Sequence, residues 1–185
     1  MNLDGYALPI KKLKGTEPVE SLDLSNKRLK VASAIVIASL IGDNASLTSL
    51  DVRSNEISGD SASQLSSAVL GNTKIEVFNQ VPIKEMRADS FTELNLSNKH
   101  IGVEGGMVVA GLLPVMPSLT SLSLAQNELG DDGAEAISMG LKESKSLRTL
   151  DLSGDPFSSV GQIGPRGATA LASSIAVMAS LTSVR

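Results

Sequence analysis

The chain has 185 residues, a hydrophobic fraction of 42% and a net charge of −4, enough apolar material for one substantial core and too much for a disordered polymer. Aromatic residues make up only 2%, so the core must be aliphatic and an aromatic-walled small-molecule pocket is not expected. The acidic balance argues against nucleic acid, which needs a basic stripe, and the lack of cysteine excludes a disulfide framework, a zinc ribbon or a thiol nucleophile.

Met1 to Gly5 has neither the basic nor the apolar region of a secretory signal. The longest apolar run, residues 31–41, is interrupted by Ser33 and Ser39 and is shorter than the roughly 20 residues a bilayer requires. The expectation is an intracellular, cytoplasmic chain without membrane insertion.

Residues 1–18 read as a short capping segment. From residue 19 one template recurs, with apolar residues at positions 1, 4, 6 and 11 and Asn favoured at 9. Val19, Leu22, Leu24 and Leu29 fit it, as do Leu47, Leu50, Val52 and Ile57 with Asn55 at position 9. Phe91, Leu94, Leu96 and Ile101 follow, then Leu119, Leu122, Leu124 and Leu129 with Asn127. Leu147, Leu150, Leu152 and Phe157 make the last full match, with Asp155 at position 9. Lys27 and Lys99 occupy position 9 in two repeats; lysine accepts no hydrogen bond, so a differently built turn is expected there. Behind each strand, Ala34/Ile37/Ile41, Ala62/Leu65/Val69 and Ala134/Ile137/Leu141 fall at helical spacing.

This pattern resembles the leucine-rich repeat, and its 28-residue spacing from 19 to 47, 47 to 75, 91 to 119 and 119 to 147 is similar to the ribonuclease-inhibitor-like class. The resemblance implies an α/β fold: a right-handed solenoid forming a horseshoe arc, with parallel strands on the concave face and helices on the convex face. One unit alone cannot bury its apolar stripe, whereas stacked neighbours form a continuous ladder. A single domain over 1–185 is expected, with repeats starting at 19, 47, 75, 91, 119 and 147.

The repeat at 75 is short. Ile75 and Phe78 open it, but only 16 residues separate Ile75 from Phe91, and Pro82 argues against a regular continuation. Val81-Pro82-Ile83-Lys84-Glu85-Met86-Arg87 mirrors Leu8-Pro9-Ile10-Lys11-Lys12-Leu13-Lys14. The chain therefore has a second period of 72 residues, as from Leu22 to Leu94 and Leu50 to Leu122. Only the helices that follow a short segment are apolar on a second side, at Ile35, Val36 and Leu40 and at Met107, Val108 and Leu112. Two readings stand: cover by Ile10/Leu13 and Ile83/Met86, or a partner-binding patch.

The distance from Leu147 to Leu181 is 34 residues, six more than the period. The extra residues fall near Ser158–Ile163, before the helical Ala168, Leu171 and Ile175. The final Ser180-Leu181-Thr182-Ser183-Val184 echoes Ser46–Leu50 and Ser118–Leu122. It reads as a truncated repeat from 181, forming the start of a parallel strand with an edge open to a contact at Leu181 and Val184.

Chemistry-bearing groups are sparse. The single histidine, His100, follows a strand end, and no nucleophile–base pattern accompanies it. Gly102 to Gly106 lacks the lysine of a phosphate loop, and Asp131-Asp132 suits a helix amino end. Asn44 and Asn95 begin glycosylation triplets that read as coincidental without a signal peptide. No catalytic residue, cofactor or metal site is expected.

What remains is the strand face. The position-5 column reads Asp23, Asp51, Asn79, Asn95, Ser123, Asp151, and neighbouring columns add Glu20, Arg53, Glu76, Glu93 and Arg148. Arginine is enriched at interface hot spots, which singles out Arg53 and Arg148 on a polar, mildly acidic surface. The resemblance implies a non-catalytic scaffold that binds a protein through this face or a terminus. The alternatives are a structural subunit buried in an assembly, or a regulator of small GTPases similar to the Ran GTPase-activating proteins.

Overall fold

The computed structural model describes residues 2–154 and 161–185. An antiparallel hairpin, β1 (Asn2–Leu3) and β2 (Tyr6–Ala7), leads into helix α1 (Ile10–Leu13). Two strand–helix units follow: β3 (Ser21–Asp23) with α2 (Val31–Ile41), and β4 (Ser49–Asp51) with α3 (Gly59–Gly71). The short repeat supplies β5 (Val77–Phe78), β6 (Val81–Pro82) and α4 (Ile83–Arg87). Then come β7 (Glu93–Asn95) with α5 (Gly102–Leu112), β8 (Ser121–Ser123) with α6 (Gly130–Glu143), β9 (Thr149–Asp151) with α7 (Pro165–Ile175), and β10 (Ser183–Val184).

The position-4 residues set the register. Leu22 pairs with Leu50 and Leu50 with Phe78, while Leu94 pairs with Leu122, Leu122 with Leu150, and Leu150 with Val184. All of these strand pairs are parallel. Template side chains at positions 1, 4, 6 and 11 fill the space between strands and helices; Leu24, Leu29, Leu47, Leu50, Ile75 and Phe78 are fully buried. The inward helical triplets of α2, α3 and α6 are also fully buried.

The expected continuous ladder is broken. Strands form two four-stranded sheets, β3-β4-β5-β6 and β7-β8-β9-β10. After Phe78 the chain reverses through Asn79 and Gln80, both left-handed at φ 49° and 65°, the geometry of a two-residue type I′ hairpin. β6 returns antiparallel along β5 and occupies the edge where β7 would otherwise pair. Its Pro82 has no N–H to offer a further strand, as expected of an edge. The physical cause is chain length: 16 residues cannot form a strand, a turn and a full helix.

The duplication is visible in the backbone. Pro9 and Pro82, which precede α1 and α4, have φ,ψ of −78°,72° and −82°,75°. α1 packs on α2 and α4 on α5, with Leu13, Ile83 and Met86 fully buried and Ile10 half-buried. The cover is unequal. Val108 and Leu112 are buried and Met107 half-buried, because α3 also packs on α5. Val36 and Leu40 are half-buried, and Ile35 stays 41% exposed.

α7 departs from the expected register. Gly167, Leu171 and Ser174 are its buried residues, Ala168 is exposed and Ile175 half-buried. Gly167 sets this face, since a Cβ there would stand 2.8 Å from Ala134 Cβ. Asp155, Phe157 and residues 158–160 of the expected insertion lie outside the described residues. Of that insertion, Gly161 accepts a hydrogen bond from Gly130 N–H at 2.9 Å, and Ile163 packs on the core.

Candidate protein-interaction surface

The position-5 residues share one local device. The side-chain oxygens of Asp23, Asp51, Asn95 and Asp151 each accept from the backbone N–H two residues on, at 2.8–3.0 Å. These Asx turns guide the chain out of the strand, so the acidic column has a structural purpose before any binding one. Ser25 hydrogen bonds hold the Asp23 carboxyl below the usual carboxylate range. Asn79 departs from the column: it is fully buried rather than facing outward, because the hairpin turn carries it inward.

Three candidate contacts, Asp51, Arg53 and Glu76, are engaged in ion pairs within the chain. Arg53 donates from Nε and Nη2 to the Asp51 carboxylate at 2.7–3.0 Å, and from Nη1 to the Lys99 carbonyl at 3.0 Å. It therefore ties the first sheet to the turn after β7. Glu76 pairs with Lys84 of α4 at 2.8 Å. By contrast Glu20, Glu93 and Arg148 are exposed and make no ion pair among the described residues. Glu20, Asp23, Asp51, Arg53 and Glu76 lie on the first sheet or its turns, and Glu93, Asn95, Arg148 and Asp151 on the second. At the last strand, Leu181 is half-buried against the core and Val184 is 43% exposed.

The turns correct one expectation. The turns carrying Lys27, Lys99 and Asn127 have the same shape, with left-handed residues on both sides of position 9: Asn26 and Arg28, Asn98 and His100, Gln126 and Glu128. The lysine needs no accepting side chain, because the next repeat supplies one. Asn55 Oδ1 accepts from Lys27 and Leu29 N–H at 3.0 and 2.9 Å, and Asn127 Oδ1 accepts from Lys99 N–H at 3.0 Å. The asparagine amides donate back to the Leu24 and Leu96 carbonyls.

The seam between the sheets holds residues that the sequence reading passed over. Asn79 Oδ1 accepts from Val52 N–H at 2.8 Å, while Nδ2 donates to the Ile101 carbonyl and to Glu104 Oε1, each at 3.0 Å. Glu104 stands in the first turn of α5 and is only 5% exposed. Burial pushes its carboxyl up to about 7, against smaller opposing contributions from its own N–H and from Asn79. Ser66 Oγ of α3 donates to the Glu104 carbonyl at 2.9 Å. Arg87 donates to the Ile75, Leu70 and Asn72 carbonyls, closing the carboxyl end of α3. The signal available beforehand was an isolated Glu within a glycine-rich helix start, directly after the short repeat.

Elsewhere polar groups serve the scaffold. His100 meets Glu128 at 3.2 Å on the surface. The Asn44 amide is buried and donates to the Lys12 and Leu13 carbonyls. Asp131 Oδ1 accepts from Gly164 and Gly167 N–H at 2.8 Å, capping α7 from the preceding helix. Among the described residues no group of three His, Asp or Glu is placed to hold a metal ion, and no helix is long and apolar enough to cross a membrane.

Two stretches of the chain match the leucine-rich repeat. The family model described as "Leucine Rich repeat" covers residues 43–66 and 115–138, and the two matches are displaced by the same 72-residue period. No curated protein matches the sequence. Among solved structures the chain is similar to the tropomodulin C-terminal domain from Caenorhabditis elegans, at 16% identity and a TM-score of 0.41, over 90% of this chain and 91% of that one. That degree of likeness bears on neither partner nor activity.

Proposed function

We propose that the chain is a non-catalytic protein-binding scaffold of the ribonuclease-inhibitor-like type. In this reading residues 1–185 form one right-handed solenoid arc, intracellular, with the strands lining its concave face and the helices its convex face. The observation that carries it is a set of exposed charges, Glu20, Glu93 and Arg148, without ion-pair partners among the described residues and placed at the starts of the parallel strands β3, β7 and β9. Asp23, Asn95 and Asp151 extend the same surface. Polar side chains at fixed spacing on a rigid layer give specificity without a pocket.

The triple variant Glu20→Ala/Glu93→Ala/Arg148→Ala is expected to weaken capture of the cognate protein by about tenfold, with Tm unchanged within about 2 °C. Arg53→Ala is expected to behave oppositely. It removes the Asp51 pair and the Lys99 contact, costing about 1–2 kcal/mol of stability. Affinity capture with each variant, alongside thermal melts, separates the two. Undiminished capture by the triple variant would remove the strand face from this reading.

A further inference from the structure

The helix layer carries a groove that the strand-face reading does not use. Seven of the eleven residues of α5 are buried, against four of eleven in α2, so α5 lies sunk between its neighbours. α3 and α6 rise on either side and meet at their amino ends, where Gly59 N–H donates to Asp132 Oδ2 at 3.2 Å. The result is a groove of about 640 Å³. Met107, Ala110 and Gly111 form its floor, and Leu70 of α3 and Met139 of α6 line its walls. Met139 is 71% exposed, a large cost for an apolar side chain facing only water.

The rims are acidic. Asp60 stands on the α3 side, and Asp132, Glu135 and Glu143 on the α6 side. Arg166 is the one cation among the lining residues, and it is held by Asp132 and by Glu135 at 3.1 Å. Asp60 and Glu143 make no ion pair among the described residues. An apolar floor between uncompensated carboxylates complements a segment with an apolar stripe and cationic flanks. Both walls are α-helices whose interior main-chain groups are already bonded, so an extended peptide finds no strand edge to join. A helix brings its own satisfied backbone. Gly111 lets the Leu70 side chain lie close over the floor, where a Cβ would stand 2.6 Å from Leu70 Cδ1.

We propose that this groove docks a short amphipathic helix of a partner protein, with Leu- or Met-type residues on one face and Lys or Arg beside them. The eleven residues of α5 rise about 16 Å, which sets a contact of about three turns. This surface is separate from the strand face and stands or falls independently of it.

The test uses the full chain with ¹³C-methyl methionine and a synthetic helix of about 14 residues, Leu at i, i+3, i+4 and i+7 and Lys elsewhere. The Lys–Leu helix is expected to shift the Met107 and Met139 methyl resonances. Its affinity is expected to fall about tenfold or more in Asp60→Lys/Glu143→Lys, and also when salt is raised to about 0.5 M. The same helix with Glu for Lys, or with its stripe scrambled, is expected to leave both methyls in place. Glu20→Lys/Glu93→Lys changes the net charge equally on the strand face and is expected to leave affinity within about twofold. Equal binding to the groove variant, or no methyl shift at about 1 mM helix, would overturn the proposal. Methyl shifts that follow protein concentration without any peptide would also overturn it, by assigning the groove to a second copy of the chain.

Discussion

Glu104→Gln is expected to leave stability unchanged near pH 4 and to raise it by about 3 kcal/mol at pH 8. The Glu104 carboxyl is pushed up by burial from 4.5 to about 7 in the folded chain. Below the unfolded value both states are protonated and the group costs nothing extra. Between that value and about 7 the unfolded chain ionises while the folded chain holds its proton. Stability therefore falls with rising pH, at about 1.36 kcal/mol per pH unit. Above about 7 the full cost of a buried carboxylate persists. Glutamine has the shape of the protonated acid, keeps an oxygen for Asn79 Nδ2 and does not titrate. Urea unfolding at intervals from pH 4 to 8.5 reads the difference directly. Wild-type and variant curves that run parallel would show that Glu104 is solvated in solution.

Asn79→Gly is expected to cost about 3 kcal/mol. Glycine tolerates the left-handed φ of 49°, so the loss reports hydrogen bonds rather than turn strain. Val52 N–H loses its acceptor, while Glu104 Oε1 and the Ile101 carbonyl each lose a donor, the carbonyl keeping Gly105 N–H at 3.2 Å. The variant should also carry a pH signature. The Asn79 amide opposes the burial effect on Glu104, so its removal raises the carboxyl further and extends the pH-dependent loss above 7. A double-mutant cycle with Glu104→Gln at pH 8 is expected to show coupling of about 1 kcal/mol. Simple additivity would mean that the two residues act independently across the seam.

Much of the repeat was legible because it rests on local periodicity. The spacing of Leu22, Leu24 and Leu29, and of Ala34, Ile37 and Ile41, reports which side of each element is buried, and these residues are buried. The 72-residue period was equally plain, and the matching backbones at Pro9 and Pro82 embody it. The break in the ladder was not legible. Val81 and Pro82 were visible as an irregularity, but the type I′ turn at Asn79-Gln80 is neither Asn-Gly nor Asp-Gly, so its strongest sequence cue was missing. The partner of Lys27 N–H lies 28 residues away on Asn55, which no local window contains. Nothing local to Gly102–Gly106 marks Glu104 for burial, which follows from the missing helix of another repeat. The candidate strand-face residues could be named as a column, but the engagement of Arg53 with Asp51 and Lys99 needed coordinates.

The central structural claim is that the third repeat ends the first strand ladder, so β7 begins a second one. In a parallel ladder alternate N–H groups face opposite neighbours. β7 pairs with β8 on one side only, and β6 covers the β5 edge that would face it. Amide hydrogen exchange on the full chain resolves this at two residues in equivalent repeat positions. The Asn95 N–H is predicted to exchange at the fast rate of an edge strand, while the Ser123 N–H, facing β7, is protected close to the level of global unfolding. Equal protection of Asn95 and Ser123 would show an unbroken ladder and contradict the account.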